Sequence, residues 1–441
     1  MLKGFYIGNR FFIAAIILAG LFIVSFIVGF GFLLSQILFY IWLGSIGADL
    51  ILLYRVRRGF SATRNVPARL SNGDENKIQI ELRNHYSFAV VLQVIDEIPF
   101  QFQRRDLQFD LNLQPFEQRV LIYSLRPVKR GEYSFGALRV FVKSPLGLIV
   151  RRFSFSIDVM VPVYPSYLQM RHYELLAIHN RLTRTGVKKI RKIGQNREFE
   201  LIKDYVSGDD IRTINWKATA RRSRLMVNQY QDERSQQVFS LIDKGRLMQM
   251  PFQGMSLLDY AINASLVISN IAICKFDKAG LITFQDTIGA TLPAGNRNNQ
   301  MTLIQEILYH QKTAYRESDF SRLFSHVRTK INQRSLLLLF TNFESVSSLR
   351  RQLPYLQSMA QRHLLVVIFF ENTEIKSLLE SPAPDLRTVY HKAIAEKLNF
   401  EKRLVVKELR KYGIHALLTP PDRLTVNTIN KYLELKARNL L

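Results

Sequence analysis

The stretch that decides the N-terminal fold is residues 11–48, which read FFIAAIILAGLFIVSFIVGFGFLLSQILFYIWLGSIGA and contain no charged side chain. One membrane-spanning helix needs about 20 apolar residues, so this run is long enough for two helices. Gly29-Phe30-Gly31 near its middle predicts a tight turn, because glycine tolerates the backbone angles of a reversal. We therefore predict a two-span transmembrane hairpin over residues 1–58, with spans at 11–28 and 32–54.

The charges that flank this run predict the orientation of the hairpin. Lys3 and Arg10 precede the first span, three arginines follow the second, and the loop between the spans is uncharged. Positive residues favour the cytoplasmic side, so both ends of the hairpin are expected there. One alternative is a signal peptide, but the apolar run is too long for the core of a signal peptide. A second alternative is a buried hairpin in a soluble protein. The lone Asp49 is expected to reach the membrane interface or to pair with Arg55 or Lys3.

Composition limits the classes of protein to which the whole chain can belong. Of 441 residues, 47% are hydrophobic and 22% charged, which excludes a disordered, collagen-like or disulfide-stapled protein. The single cysteine, Cys274, excludes an intrachain disulfide and a cysteine-based zinc site. A net charge of +25 favours anionic partners, which include phospholipid, nucleic acid and acidic protein faces.

Residues 59–165 change to a period of two, with KIQIELR at 77–83 as the clearest case. This alternation is typical of a strand with one buried face. We predict a β-sandwich-like domain that serves as a binding or spacer module, because no nucleophile–base pair and no phosphate loop occurs there. Its predicted strands are 77–83, 89–95, 118–125, 138–142 and 149–157.

A basic connector is predicted at residues 166–235. Such a block contacts anionic lipid or is simply solvated; nucleic acid is disfavoured because no aromatic residues suited to base stacking are interleaved. Its basic residues between 181 and 197 are Arg181, Arg184, Lys188, Lys189, Arg191, Lys192 and Arg197, with no acid among them.

The end of the connector predicts a structural latch. Gly208-Asp209-Asp210 is typical of a turn that caps a short helix. Arg212 and Arg221 are expected to bind carboxylates of nearby aspartates (Asp204, Asp209, Asp210), and Trp216 is expected to bury its ring against the next domain.

The same segment resembles a known family, the domain-of-unknown-function 58 family. The residues that carry the resemblance are Tyr205, Gly208, Asp209, Arg212, Asn215, Trp216, Ala220 and Arg221, and it extends upstream to RGEYSFG at 130–136, SPLGL at 144–148 and the paired spans. The resemblance implies a bacterial inner-membrane protein with a von Willebrand factor A-like domain. Family members are commonly linked with MoxR-type AAA+ ATPases, and their biochemical activity is poorly defined.

Residues 236–441 alternate apolar runs with segments of helical period, which predicts a doubly wound parallel sheet with helices on both faces. Ligands in such sheets bind at the carboxyl ends of the strands. The predicted strands are 238–242, 280–284, 335–340, 364–370 and 414–418, and the predicted helices are 257–275, 301–310, 346–361 and 389–412.

At that strand edge, the resemblance implies a metal loop of the form Asp-x-Ser-x-Ser starting at Asp243. The chain reads Asp243-Lys244-Gly245-Arg246-Leu247, without either serine, and Asn342 and Glu344 stand after a later strand where an aspartate is usual. Mg²⁺ prefers several hard oxygen ligands, so a tightly held metal is disfavoured, and no cofactor is expected. We expect Asp243 to pair with Arg246 or Lys244, or to cap a turn. The histidines show no metal-ligand spacing.

These observations predict a non-enzymatic, cytoplasm-facing interaction or scaffold protein, anchored in the bacterial inner membrane. Its expected partners are membrane lipid, other envelope proteins and a MoxR-type AAA+ ATPase, the last implied by the resemblance. The alternative is a cell-envelope enzyme, a hydrolase or transferase with an unrecognised site. A metal-dependent adhesion receptor would need the loop that this chain lacks.

The two-span topology is testable with reporter fusions in the intact cell. A reporter fused at Leu441 and one inserted within the Gly29–Gly31 turn should lie on opposite sides of the membrane, because an odd number of spans separates them. Reporters on the same side would exclude the hairpin.

Overall fold

The computed structural model describes residues 4–104, 107–156, 158–178, 197–207, 209, 211–232, 235–313, 315–382, 385–438 and 440. Two compact units make up the chain, Met1–Tyr164 and Pro165–Leu441. The predicted basic block lies outside the described residues, apart from the backbone of Arg197, as does Gly208.

Two apolar helices form the predicted hairpin, α1 (Asn9–Val28) and α2 (Phe32–Arg55), and each is long and apolar enough to cross a membrane. Gly29 and Gly31 both adopt left-handed backbone angles, with φ of 73° and 92°, which confirms the tight turn. Most of both helices is exposed, as expected of surfaces that face lipid. A third described helix (Leu257–Cys274) is as long and apolar, but 83% of it is buried inside the protein, so it is a core helix.

Eleven described strands fill the rest of the first unit. They form a five-stranded sheet (β1-β10-β9-β5-β6) and two three-stranded sheets (β2-β4-β7 and β3-β11-β8) around one hydrophobic core. All five predicted strands are present. The strands are β1 (Phe5–Ile7), β2 (Phe60–Asn65), β3 (Leu70–Ser71), β4 (Asn76–Asn84), β5 (Val90–Asp96), β6 (Gln108–Leu113), β7 (Gln118–Leu125), β8 (Gly131–Phe135), β9 (Leu138–Lys143), β10 (Ile149–Phe155) and β11 (Val159–Tyr164).

Strand β1 was not predicted, and it ties the start of the chain to the sandwich. It precedes α1 and pairs antiparallel with β10, with Phe5 opposite Arg151 and Ile7 opposite Ile149. The segment before the first helix and the segments after the second therefore share one sheet, so both ends of the hairpin lie at the same end of the unit.

Asp49, near the end of α2, is fully buried, so its predicted position at the membrane interface is wrong. Its carboxylate accepts hydrogen bonds from the backbone N–H groups of Leu148 (3.0 Å) and Ile149 (2.8 Å) and from the Ser144 hydroxyl, and not from Arg55. Lys3, the other predicted partner, lies outside the described residues. A carboxylate with several donors is stable when buried, whereas an unpaired one is not.

Arg151 of β10 caps the end of α2, including the two residues that follow the helix. Its guanidinium donates to the carbonyls of Leu53, Val56 (2.8 Å) and Arg57 (2.9 Å), and the Tyr86 hydroxyl donates to the Leu53 carbonyl at 2.9 Å. The final carbonyls of a helix have no partner within the helix, so these bonds satisfy groups that would otherwise be orphaned. The apolar hairpin and the sandwich are therefore tied together within the first unit.

The second unit contains a six-stranded sheet in the order β18-β17-β14-β19-β20-β21. Five strands are parallel, and the edge strand β18 is antiparallel, which was not predicted. The sheet strands are β14 (Gln237–Asp243), β17 (Lys278–Phe284), β18 (Ile288–Gly295), β19 (Leu336–Phe340), β20 (Leu364–Phe370) and β21 (His415–Thr419); two short hairpins add β12 (Arg197–Asp204) with β13 (Met226–Asp232) and β15 (Pro251–Phe252) with β16 (Met255–Ser256).

Helices cover both faces of this sheet, and a separate hydrophobic core fills each face. Neighbouring residues of β14 alternate between the cores: Val238 and Ile242 belong to one, and Phe239 and Leu241 to the other. The four predicted helices are present as α5, α6, α8 and α10. The helices are α3 (Tyr167–Ile178), α4 (Trp216–Arg222), α5 (Leu257–Cys274), α6 (Gln300–Tyr309), α7 (Phe320–Lys330), α8 (Val346–Arg362), α9 (Thr373–Glu380), α10 (Leu386–Lys411) and α11 (Leu424–Ala437).

The anchoring role of Asp49 predicts a large loss of stability in Asp49→Ala. The substitution leaves two buried N–H groups without acceptors, and each charge-assisted hydrogen bond contributes roughly 1.5–3 kcal/mol. We expect a loss of about 3 kcal/mol or more in the free energy of unfolding, measured by chemical denaturation in detergent. Ser45→Ala is the control, because the Ser45 hydroxyl donates only to the Ile41 carbonyl of its own helix. Equal stability of the two variants would contradict the anchor.

Candidate functional site

The best candidate site lies at the carboxyl edge of the six-stranded sheet. Strand β14 pairs with β17 on one side and with β19 on the other, so the strand order reverses beside β14. Such a reversal leaves a crevice at the carboxyl ends of the two diverging strands. Asp243 ends β14, and Thr341 and Asn342 follow β19, which brings two of the predicted residues to this crevice.

Asp243 is buried, and its carboxylate is held by neutral donors. It accepts hydrogen bonds from the Gly245 N–H (2.8 Å), from the Thr341 hydroxyl (2.6 Å) and from the Ser318 hydroxyl. Burial raises the pKa of Asp243, while these three bonds oppose the shift. The predicted turn cap is confirmed by the bond from Gly245, whereas pairing with Arg246 or Lys244 is wrong. Ser318 and Thr341 were not predicted.

Asn342 is also buried, and it binds a lysine. Lys402 of α10 donates from its ammonium group to the Asn342 side-chain oxygen at 2.6 Å and to the Phe370 carbonyl at 3.0 Å. Burial lowers the pKa of Lys402 from 10.5 to about 8, and the carboxylate of Glu344 opposes the shift. A cation therefore sits at the strand ends, supplied by the protein itself.

Two cavities open at this edge, and they differ in character. A polar cavity of ≈ 190 Å³ is lined by Asp243, Ser318 and Asn342 together with Arg246 and Arg351. A mostly apolar cavity of ≈ 200 Å³ lies on the other side of Asn342; its lining includes Met250, Phe252, Phe370, Ile375 and Leu398, with Lys402 as its cation.

The Asp243 loop has no free carboxylate for a divalent cation. Asp243 is the one carboxylate in the Asp243–Leu247 loop, and its oxygens are already taken by three donors. The same cavity is lined by two arginines, Arg246 and Arg351, and by two glutamates, Glu317 and Glu344, so its lining carries charges of both signs. Among the described residues, no group of three or more His, Cys, Asp or Glu side chains is placed to hold a metal. The absence of a tightly held metal at this edge stays a prediction.

The signature residues form a second, separate cluster around the β12–β13 hairpin. The Asn215 side chain caps α4 by accepting the Ala218 N–H at 3.0 Å. Asp209 accepts the Val206 N–H and the Lys203 ammonium, both at 3.0 Å, and these bonds hold its pKa below the usual range. Tyr205 donates its N–H to the Leu225 carbonyl at 2.8 Å.

The predicted latch is wrong in its central residue. Trp216 is 69% exposed and buries little against the rest of the unit. Ala220 and Arg221 are both exposed, and Arg221 forms no ion pair with a described carboxylate. Asp209, one of the carboxylates expected to bind an arginine, pairs with Lys203. The side chain of Arg212 lies outside the described residues, as does Asp210.

Comparison with known proteins bears on this second unit. The family described as "Protein of unknown function DUF58" matches residues 201–378. This confirms the resemblance over that range, which includes the signature and the strand edge up to α9. The match does not reach the upstream motifs at 130–136 and 144–148.

Similar individual proteins are themselves poorly characterised. The "Uncharacterized protein YeaD" of Bacillus subtilis (strain 168) is 30% identical over 224 residues, which cover 48% of this chain and 55% of YeaD, so the chain spans about half the length of this curated relative. Among solved structures, the conserved hypothetical protein BatB from Bacteroides thetaiotaomicron has 11% identity and a TM-score of 0.31, covering 46% of this chain and all of BatB. The CARDB domain of a Pyrococcus furiosus protein has 15% identity and a TM-score of 0.19, covering 24% of this chain and 86% of that domain. TM-scores this low carry no argument about the fold.

The buried Lys402 predicts a specific pH dependence of stability. Its pKa is lower in the folded chain than in the unfolded chain, so the native state releases this proton first as the pH rises. The contribution of Lys402 to stability is therefore constant below pH 8 and increases between pH 8 and 10.5 by up to about 3 kcal/mol.

The test compares wild type with Lys402→Met by chemical denaturation at neutral pH and near pH 10. The unfolding free energy of wild type minus that of Lys402→Met should be larger near pH 10 than at neutral pH. Lys407→Met, an exposed lysine of the same helix, should show no such movement. If this difference is the same at both pH values for Lys402→Met, the Lys402 ammonium group is not desolvated.

Proposed function

We propose that this protein is a membrane-anchored interaction or scaffold protein that faces the cytoplasm at the bacterial inner membrane and docks other proteins through its α/β unit. The observation that carries the proposal is an exposed apolar stripe on α10. Its members, which we call the α10 stripe, are Leu386, Val389, Tyr390, Ile394 and Leu398.

The α10 stripe has the spacing of one helix face. Leu386, Tyr390, Ile394 and Leu398 recur every four residues, and Val389 lies three residues after Leu386, which places all five on one side of the helix. All five are exposed, and Leu386 is 86% exposed. Single exposed apolar residues are ordinary on a protein surface, but a contiguous stripe of this length typically marks a protein-binding face.

The stripe continues into the apolar cavity at the strand edge. Leu398 belongs to both, and Phe370 and Ile375 extend the apolar lining inward. A partner that lays a helix or loop along the stripe could therefore insert one apolar side chain into the cavity. Binding energy at protein interfaces concentrates in such anchored side chains.

We propose a MoxR-type AAA+ ATPase as one partner and a von Willebrand factor A-like arrangement for the α/β unit. The proposed ATPase partner rests on the family resemblance of residues 205–221. The proposed von Willebrand factor A-like arrangement is supported by the sheet order, with five parallel strands and one antiparallel edge strand. Other envelope proteins and membrane lipid complete the proposed set of partners.

A cell-envelope enzyme is the second candidate, and Lys402 is the observation that favours it. An amine whose pKa is lowered to about 8 beside an apolar cavity is partly neutral near physiological pH. A neutral lysine amine is a nucleophile or a general base. This candidate predicts that Lys402→Met abolishes an activity, whereas the scaffold predicts that it changes only stability or binding.

The α10 stripe is tested by binding of the purified full-length protein, in detergent, to the MoxR-type ATPase of the same bacterium. Tyr390→Ser with Ile394→Ser should weaken binding about tenfold or more, because each anchored apolar side chain contributes on the order of 1 kcal/mol or more. Glu396→Ala with Lys397→Ala, two exposed polar residues of the same helix, should bind like wild type. Equal binding by both double variants would show that the stripe is not the docking face.

A further inference from the structure

The exposed part of the signature segment forms a second surface, distinct from the α10 stripe. Four large apolar side chains are exposed there: Val206, Ile211, Trp216 and Leu225. Four cations lie among them in the sequence and are also exposed: Lys217, Arg221, Arg222 and Arg224. We call these eight residues the Trp216 patch.

Backbone hydrogen bonds hold the segments of the Trp216 patch together. The Tyr205 N–H donates to the Leu225 carbonyl at 2.8 Å, and the Asn215 N–H donates to the Met226 carbonyl at 2.8 Å. Val206, Trp216 and Leu225 are therefore neighbours, although up to 19 positions separate them in the chain. Ile211 lies one tight turn before Asn215, since its carbonyl accepts the Ile214 N–H at 3.3 Å.

The patch is not needed to fold the segment on which it lies. Met226 and Val227 supply the buried apolar side chains of the hairpin, with 2% and 1% exposure. The Asn215 side chain caps α4, and the Thr219 hydroxyl accepts the Met226 N–H at 3.0 Å. The exposed Trp216 ring contributes little to this local structure, so its position calls for a different explanation.

The charges of the patch indicate what binds it. Within the described part of the chain, none of its four cations forms an ion pair, and the nearby Asp209 is already neutralised by Lys203. The surface therefore combines unpaired positive charge with exposed apolar side chains. An anionic phospholipid surface has the complementary arrangement, with phosphates outside and acyl chains beneath.

We propose that the Trp216 patch binds the surface of an anionic bilayer. Tryptophan side chains concentrate at the level of the lipid headgroups, and basic residues are attracted to anionic headgroups. The first unit of the chain carries two helices of membrane-spanning length, so the bilayer is present at high effective concentration and a weak contact suffices. An acidic protein face is the competing occupant, and the test separates the two.

The chain contains two tryptophans, so Trp42→Phe leaves Trp216 as the fluorescent reporter. The full-length variant is reconstituted into nanodiscs of phosphatidylcholine alone or with phosphatidylglycerol. With phosphatidylglycerol, Trp216 emission should shift to the blue, acrylamide quenching should fall, and brominated lipid should quench it. In discs of phosphatidylcholine alone, acrylamide should reach the ring freely.

Arg221→Gln with Arg222→Gln should remove most of the lipid protection, because each cation near an anionic surface contributes a factor of about 5, and two contribute about 25-fold. Arg328→Gln with Lys330→Gln, two exposed cations at the end of α7, is the matched control and should keep the protection. Equal Trp216 emission and equal melting temperature of the two double variants in phosphatidylcholine discs establish that both are folded.

Two results would overturn the proposal. One is equal acrylamide quenching of Trp216 in both kinds of disc. The other is protection that requires added soluble cell extract and is independent of phosphatidylglycerol, which would assign the patch to an acidic protein.

Discussion

The first unit depends on one buried carboxylate near the end of the second apolar helix. Asp49 would be costly in an apolar environment without partners, and the loop between β9 and β10 supplies them from two backbone N–H groups and the Ser144 hydroxyl. Arg151 meets the opposite need, because it donates to the carbonyl group of Leu53 in the same helix and to those of Val56 and Arg57 just after it. The sandwich thus supplies hydrogen-bond donors both to the buried Asp49 carboxylate and to the carbonyl groups at the end of α2.

The second unit handles buried charge differently. At the carboxyl edge of its sheet, neither Asp243 nor Lys402 has an opposite charge as a hydrogen-bond partner; hydroxyl, amide and carbonyl groups surround each of them. Neutral partners satisfy hydrogen bonds but compensate charge only partly, which is why burial moves the pKa of Asp243 up and that of Lys402 down. The edge is therefore divided into a polar side and an apolar side, with Asn342 lining both cavities.

Features with a local pattern could be predicted from the sequence, and features made by distant segments could not. The uncharged run, the alternation at 77–83 and the apolar run at 364–370 each specify an element within a few residues, and all are present. Strand β1 has only three residues, too few for a period, and exists because β10 pairs with it. Ser318 lies 75 positions from Asp243, and Lys402 lies 60 positions from Asn342, so no spacing in the sequence links them. Trp216 misled the prediction because a large apolar ring is usually buried, and only the structure shows that its neighbours Met226 and Val227 fill the interior instead.

The pairing of β1 with β10 has a consequence for how the protein is made. Residues 5–7 leave the ribosome before either apolar helix, but their strand partner, residues 149–155, is synthesised only after both helices and most of the sandwich. If the two apolar helices cross a membrane, the five-stranded sheet can close only when the start of the chain lies on the side where the sandwich folds. A half-inserted chain, in which only one of the two helices crossed, would leave β1 across the bilayer from β10, and its sheet could not close. A chain whose sheet stays open would expose the unpaired edge of β10, and an exposed strand edge can pair with another chain.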